Sequence, residues 1–235
     1  MLYRYDLFPL TIFLMSLSTE YLEANLLPLI ESIKPKTTDS FLLKACGLDE
    51  RPSTQSVSIT IGTRLEKFWN TVISDSNHCT NHIEHSDRVD VNGRTRQIDH
   101  YFSVPDLGTD SHLYLVSKCN VNFDTEKIRA SNEKIQQITE TLSNRDDHDV
   151  QSGYFVPVLR RIPANIAREY ADLGVGVFGV EDVISWMGID GCPFTADEYF
   201  AFFKERLAPM ITRLMDGVPA NKPAHRALHG SLDLL

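Results

Sequence analysis

The segment RVDVNGRTRQIDHYF, residues 88–102, constrains the fold more than any other part of the chain. Asn92-Gly93 lies there between two stretches in which apolar and polar residues alternate. Asn and Gly tolerate the positive φ that a two-residue hairpin turn requires, so this pattern predicts two antiparallel strands. Residues 112–122 alternate in the same way. They predict a third strand that extends the hairpin into an antiparallel meander.

Segments with helical periodicity surround these strands. They cover residues 19–34, 62–75, 125–142, 163–174 and 195–215. Two short apolar segments, 153–159 and 175–180, lie between or after the later helices and predict further strands. This order of elements predicts an α/β fold, a three-layer sandwich. Its central mixed sheet would combine an antiparallel meander with a βαβ unit, and helices would flank it.

The length and charge of the chain limit its class. At 235 residues it suits one domain with a sizeable core. The formal net charge of −9 creates no global basic field, so nucleic-acid binding would depend on local basic patches. The cysteines are widely separated and form no CxxC pair, which favours free thiols in a reducing, cytoplasmic compartment. They are Cys46, Cys79, Cys119 and Cys192.

The first fifteen residues, MLYRYDLFPLTIFLM, form an apolar run behind Arg4. Asp6 and Pro9 interrupt this run, no small-residue cleavage site follows it, and it is too short to span a bilayer. We therefore interpret residues 1–15 as an N-terminal extension, either extra sequence or a packed segment, and favour this over an export signal. Residues 16–235 are expected to form a single domain without membrane attachment.

Three ionisable residues that could take part in catalysis lie on or near the ends of predicted elements. Asp99 lies near the end of the second hairpin strand, Lys118 near the end of the next strand, and Glu66 on the helix before the hairpin. Strand alternation places Val116 and Lys118 on one face. Carboxylates can hold a hard cation that activates water, and a lysine can orient that water or stabilise a charged transition state. The set suits hydrolysis of a phosphodiester.

The order of these residues resembles the PD-(D/E)xK nuclease superfamily, and more closely its type II restriction endonucleases. That family has an acidic helix residue, then an aspartate at a strand end, then a D/E-x-K tripeptide on the next strand. Glu66 and Asp99 match the first two features. Val116-Ser117-Lys118 matches the tripeptide in its lysine but not in its acid. The run KCNVNFDTEK, leading from strand to helix, adds to the resemblance.

The resemblance covers residues 60–180, about half the chain, as the nuclease core of a restriction endonuclease-like domain. It implies Mg²⁺-dependent hydrolysis of phosphodiester bonds in double-stranded DNA at a specific sequence. Asp99 would be a bridging metal ligand, Glu66 and the Ser117 carbonyl further ligands, and Lys118 the catalytic cation. The resemblance also implies a homodimer on a symmetric site and a cognate DNA methyltransferase in the same system.

Val116 occupies the usual second acidic position, and a valine methyl group cannot coordinate Mg²⁺. A displaced carboxylate is one alternative, and its candidates are Glu66, then Asp90, Asp106 and Asp124. The others are a site with one carboxylate, a backbone carbonyl and waters, or a catalytically impaired protein. The rival functions are an inactive sequence-specific DNA-binding protein, a repair nuclease of the same superfamily, and an acidic α/β protein unrelated to DNA.

Polar residues near the predicted site suggest a DNA-binding surface, although each could also be an ordinary solvated side chain. They are Arg88, Arg94 and Arg96 on the hairpin, and Asn120, Asn122 and Lys127 after the third strand. The histidine-rich loop 78–85 could suggest a zinc site, but its ligand spacing is incomplete, so a polar loop is favoured. The stretch GVGVFG lacks the spacing of a nucleotide-binding loop and predicts a buried strand.

Overall fold

The structure is a computed structural model that describes residues 8–34, 54–84, 87–105, 111–119, 125–188 and 190–217. Its strands are Thr80–Asn81 (β1), Arg88–Val91 (β2), Arg94–Gln97 (β3), His100–Val104 (β4), Ser111–Ser117 (β5), Val150–Phe155 (β6) and Gly176–Phe178 (β7). In the described part of the chain, five of them form one sheet in the order β1-β4-β5-β6-β7. The hairpin of β2 and β3 is a separate two-stranded sheet.

Helices flank the five-stranded sheet. They are Phe8–Asn25 (α1), Leu27–Glu31 (α2), Thr54–Asp75 (α3), Thr125–Asp146 (α4), Ala164–Ala171 (α5), Val180–Met187 (α6), Ala196–Phe202 (α7) and Ala208–Met215 (α8). A π-helical turn, Phe203–Leu207, joins α7 to α8 just before Pro209, whose ring nitrogen has no hydrogen to donate. Helix α3 starts eight residues earlier than predicted, and α6 was not predicted at all. No helix within the described residues combines the length and apolar character needed to cross a membrane.

The sheet is mixed, as predicted. Strand β4 pairs antiparallel with both β1 and β5, whereas β5–β6 and β6–β7 pair in parallel through crossovers that contain α4 and α5. This confirms an α/β fold with a mixed sheet between helical layers.

The predicted meander needs one correction. The hairpin forms at Asn92 and Gly93, whose φ values are 52° and 76°. Its second strand ends at Gln97, however, and β4 begins a new sheet at His100. The N–H of Ile98 donates to the carbonyl of Asp87 at 2.9 Å, which closes the hairpin below its last strand pair. Asp99 therefore lies in a bend between two sheets and not inside a strand.

The two faces of the sheet carry separate hydrophobic clusters. One contains Leu113 and Leu115 of β5 and packs under α3. The other contains Tyr114 and Val116 and packs under α4. The predicted alternation along β5 is therefore confirmed. The helical stripes are confirmed too, and each fully buried large apolar side chain contributes about 1.5–3 kcal/mol. These are Leu65, Phe68, Trp69, Val72 and Ile73 on α3, and Ile128, Ile135, Ile138 and Leu142 on α4.

Candidate active site

The candidate site lies at the edge where β4 begins and β5 ends. His100 pairs with Leu115, so Asp99, one residue earlier, is opposite Val116. Facing residues of an antiparallel pair share one side of the sheet, and Lys118 follows Val116 by two residues. The N–H of Lys118 still donates to the Phe155 carbonyl at 2.8 Å, so the ladder with β6 extends to this lysine. Asp99 and Lys118 therefore belong to the same side.

The Asp99 carboxylate is held by the neighbouring strand. The N–H of Ser117 donates to Asp99 Oδ2 at 3.0 Å. Burial raises the pKa of Asp99, while the Lys118 ammonium, the Ser117 hydrogen bond and the Lys134 ammonium act in the opposite direction. The Asp99 carboxylate thus lies within the electrostatic influence of Lys118.

Glu66 approaches the same place from α3. Burial and then the negative charge of Asp99 raise the pKa of Glu66 to about 7. The Lys118 ammonium and a 3.1 Å hydrogen bond from Gln97 Nε2 to Glu66 Oε1 oppose that rise. The structure thus brings together Glu66, Asp99 and Lys118 from three different elements. Burial disfavours the ionised form of both carboxylates, and the nearby ammonium groups, Lys118 for both and Lys134 for Asp99, offset this only in part, so a bound cation would favour ionisation.

Asn70, a residue that sequence reasoning missed, anchors the bend that carries Asp99. Its side-chain amide donates to the Asp99 carbonyl at 2.8 Å, and its Oδ1 lies 3.0 Å from His100 Nδ1. Gln97, which contacts Glu66, was also missed. The available signal was positional: Asn70 is one helical turn after Glu66, and Gln97 is two residues before Asp99.

The second acidic position is apolar in space as well as in sequence. Val116 is 7 % exposed and belongs to the cluster under α4. Of the other candidates for a displaced acid, Asp90 accepts a hydrogen bond from the Gly93 N–H in the hairpin turn. Asp106 and Asp124 lie outside the described residues. Glu66 is therefore the described carboxylate that interacts with Asp99.

The hairpin divides the predicted arginines between its two faces. Arg88 pairs with Gln97 and is exposed, so it shares the face whose glutamine contacts Glu66. Arg94 and Arg96 pair with the buried Val91 and Val89 on the opposite face. Arg94 is exposed, and Arg96 is half-buried. Arg88 is thus the hairpin arginine that shares a face with the candidate site.

The side chains of the remaining predicted DNA-binding residues lie outside the described part of the chain. Asn120 and Asn122 lie beyond the described residues, as does the side chain of Lys127 in the first turn of α4. Cys119, directly after Lys118, has its pKa raised to about 11 by burial and by the charge of Glu66, so its thiol is protonated.

Zinc binding in the histidine-rich loop receives no support. His82 Nε2 lies 3.0 Å from Ser103 Oγ, and the His82 ring stacks on that of His112 at 4.8 Å. His85 lies outside the described residues. Within the described ranges, no three His, Cys, Asp or Glu side chains are grouped as a metal centre would require. A cation at Asp99 and Glu66 would therefore have two side-chain ligands from those ranges.

The chain matches no model of a protein family and no curated protein. The interpretation of the site therefore depends on its own residues. What they offer is a pair of carboxylates and a lysine at one sheet edge. Oxygen ligands of this kind, completed by waters and phosphate oxygens, suit Mg²⁺.

Proposed function

We propose that this chain is a type II restriction endonuclease-like protein that hydrolyses phosphodiester bonds in double-stranded DNA with Mg²⁺. The observation that carries the proposal is the convergence of Glu66, Asp99 and Lys118 at one edge of the sheet. These residues come from a helix, a bend and a strand end, in the order that the nuclease superfamily uses.

The metal fits the residues present. Asp99 and Glu66 would hold Mg²⁺, with the Ser117 carbonyl as a third ligand, and one or two carboxylates are the usual number for this ion. Burial and then the charge of Asp99 raise the pKa of Glu66, and a bound cation would act in the opposite direction by favouring the ionised carboxylate. When bound, Mg²⁺ would supply an activated water and neutralise charge on the phosphate.

The other side chains have supporting roles in this proposal. The Lys118 ammonium, close to Asp99, orients the attacking water or stabilises the charge that develops on the phosphate. The Ser117 N–H keeps Asp99 Oδ2 in place, and the Gln97 amide keeps Glu66 Oε1 in place. Arg88 on the Gln97 face supplies a phosphate contact next to the site.

The cellular setting of the proposal follows the resemblance. The protein acts in the cytoplasm as a homodimer, since a twofold protein matches a twofold DNA sequence. A cognate methyltransferase protects the host DNA. Glu66 serves as the displaced second acid, because it is the described carboxylate that interacts with Asp99.

A second candidate is a sequence-specific DNA-binding protein without cleavage activity. Val116 favours it, because a buried valine stands opposite Asp99 where an active enzyme of this type has an acid. Such a protein would keep the Arg88 surface and would bind DNA without Mg²⁺-dependent turnover.

Digestion of a long unmethylated DNA in Mg²⁺, followed by mapping of the ends, tests the proposal. A defined ladder of fragments is expected, and it should vanish in EDTA and with the Asp99→Asn protein. DNA ends that depend on DNA structure instead of sequence would indicate a repair nuclease and overturn the restriction-type proposal. Tight specific binding without cleavage in Mg²⁺ or Mn²⁺ would select the second candidate, and no binding to any duplex would overturn both.

A further inference from the structure

We propose that Asn70 is a positioning residue that sets the separation of the two metal-binding carboxylates. This inference rests on the proposed function, because it assigns Asn70 to the same cation pocket. Asn70 touches neither the phosphate nor the metal in this account. It acts through the backbone of Asp99, which its side chain holds against helix α3.

Asn70 is fully engaged at this junction. Its Nδ2 donates to the Asp99 carbonyl at 2.8 Å, so its Oδ1 is an acceptor and His100 Nδ1 must carry the hydrogen of the 3.0 Å bond between them. Asn70 is 4 % exposed and His100 is fully buried. Loss of a buried partner leaves the other groups unsatisfied, so this geometry is strongly enforced.

The bend at Asp99 is the part of the site that most needs such an anchor. Asp99 lies between β3 and β4, and these strands belong to two different sheets. The backbone of Asp99 is therefore not held by the hydrogen-bond ladder of either sheet. Its carboxylate is fixed on one side by the Ser117 N–H at 3.0 Å. Asn70 holds the Asp99 carbonyl at 2.8 Å and so restrains the backbone from which that side chain extends.

Asn70 also connects Asp99 to Glu66. The two α3 residues are four apart, which places them on one side of the helix about one turn from each other. One rigid helix therefore carries a metal ligand and the side chain that positions the second ligand. Sites supported on regular elements hold their geometry more closely than sites on free loops.

Mn²⁺ binding in the absence of DNA, measured by calorimetry, tests this role in the full-length protein. Asn70→Leu keeps the number and branching of the side-chain heavy atoms but removes both hydrogen bonds. The affinity for Mn²⁺ should fall about 10–100-fold, as is usual when a supporting partner of a metal ligand is lost. In Mg²⁺, kcat for DNA cleavage should fall while KM for DNA stays unchanged, since no DNA contact is removed.

Asn132→Leu is the matched control. Asn132 is also a buried helical asparagine, 6 % exposed, and its Oδ1 accepts from Tyr154 Oη at 2.8 Å. This variant should lose thermal stability without a change in Mn²⁺ affinity. If Asn70→Leu does not fold, Asn70→Ser adds no charge to the pocket and shortens the side chain that reaches the Asp99 carbonyl, and the same loss of Mn²⁺ affinity is expected.

The outcomes separate this inference from the proposed function. A native protein that binds Mn²⁺, with unchanged affinity in the Asn70 variant, would overturn the positioning role alone. A native protein that binds no Mn²⁺ would overturn the cation pocket and the positioning role together. Equal losses in the Asn70 and Asn132 variants would show a general effect of buried asparagines and would also overturn it.

Discussion

The carboxylates near the two ends of the β4–β5 pair have pKa values shifted in opposite directions. At the far end, Asp146 accepts hydrogen bonds from Arg145 Nε at 2.7 Å and from Tyr101 Oη at 2.6 Å, and the arginine lowers its pKa to about 2. At the site end, Glu66 has its pKa raised to about 7 by burial and by the charge of Asp99. An adjacent arginine favours the ionised form of Asp146, whereas burial disfavours the ionised forms of Glu66 and Asp99.

Under the proposed function, the end with Asp146 is structural and the end with Asp99 and Glu66 is the cation pocket. Asp146 has a fixed cationic partner, so a bound metal would gain little there. Burial raises the pKa of both Asp99 and Glu66, and the Lys118 ammonium offsets this only in part, so a bound cation would favour ionisation of both groups. Titratable groups in unfavourable surroundings are typical of functional sites.

The largest effect is expected from removing the site-end cation. Lys118→Ala should reduce the rate of DNA cleavage about 10²–10³-fold, because charge on the phosphate loses a donor aimed at it. Single-turnover rates on one duplex measure this loss. Arg145→Ala removes the far-end cation and should leave the rate unchanged, so similar losses in both variants would remove the distinction between the ends.

The next effect concerns the displaced acid. Glu66→Gln should slow Mg²⁺-dependent cleavage about 10–100-fold through weaker metal binding. Adding Val116→Glu to that variant should restore much of the rate, since the new carboxylate stands opposite Asp99.

In the native background, Val116→Glu should leave the rate of an already active protein largely unchanged. A large gain of cleavage from Val116→Glu alone would instead show that the natural site is impaired. Titration of the cleavage rate with Mg²⁺ for the single and double variants distinguishes these results.

A smaller effect should appear at the far end as stability and not as activity. Tyr101→Phe leaves the buried His112 Nδ1 without its 2.9 Å partner and removes the bond to Asp146. The free energy of unfolding in urea should fall by about 1–3 kcal/mol, with cleavage unchanged. Tyr21→Phe removes an exposed 2.7 Å bond to Asp75 and should change stability less.

The smallest effect is a dependence of stability on pH at the far end. Burial and then the neighbouring His112 lower the pKa of His82 below 6.5, against the opposing charge of Asp146. The unfolded chain therefore takes up this proton at higher pH than the folded chain. His82 should contribute its full stabilisation above pH 6.5, and the contribution should decline as pH falls below that value.

Urea unfolding at a series of pH values around and below neutrality measures this decline. His82→Gln keeps a polar partner for Ser103 but has no proton to gain, so its stability should depend less on pH in that window. An identical pH profile for both proteins would show that the lowered pKa has no effect on folding.

The faces of β5 and α4 could be predicted from sequence because periodicity reports burial directly. Glu66, Asp99 and Lys118 could be chosen as site candidates from their order along the chain. The break between β3 and β4 was not, since alternation continues through RTRQIDHYF and does not show where one sheet ends.

Asn70 and Gln97 were missed for a related reason. Their partners are 29 and 31 residues away in sequence, so only the tertiary structure brings them together. A polar residue on a helix or strand does not by itself indicate which distant group it contacts.

An anomalous difference map from a crystal soaked in Mn²⁺ would show directly whether a cation binds between Asp99 and Glu66. We expect a peak between the carboxylates of Asp99 and Glu66, close to the Ser117 carbonyl, and none beside Asp146. The Asp99→Asn protein should lose the peak. A native crystal with no peak at Asp99, or with its peak at the far end of the β4–β5 pair, would contradict the cation pocket on which the nuclease proposal depends.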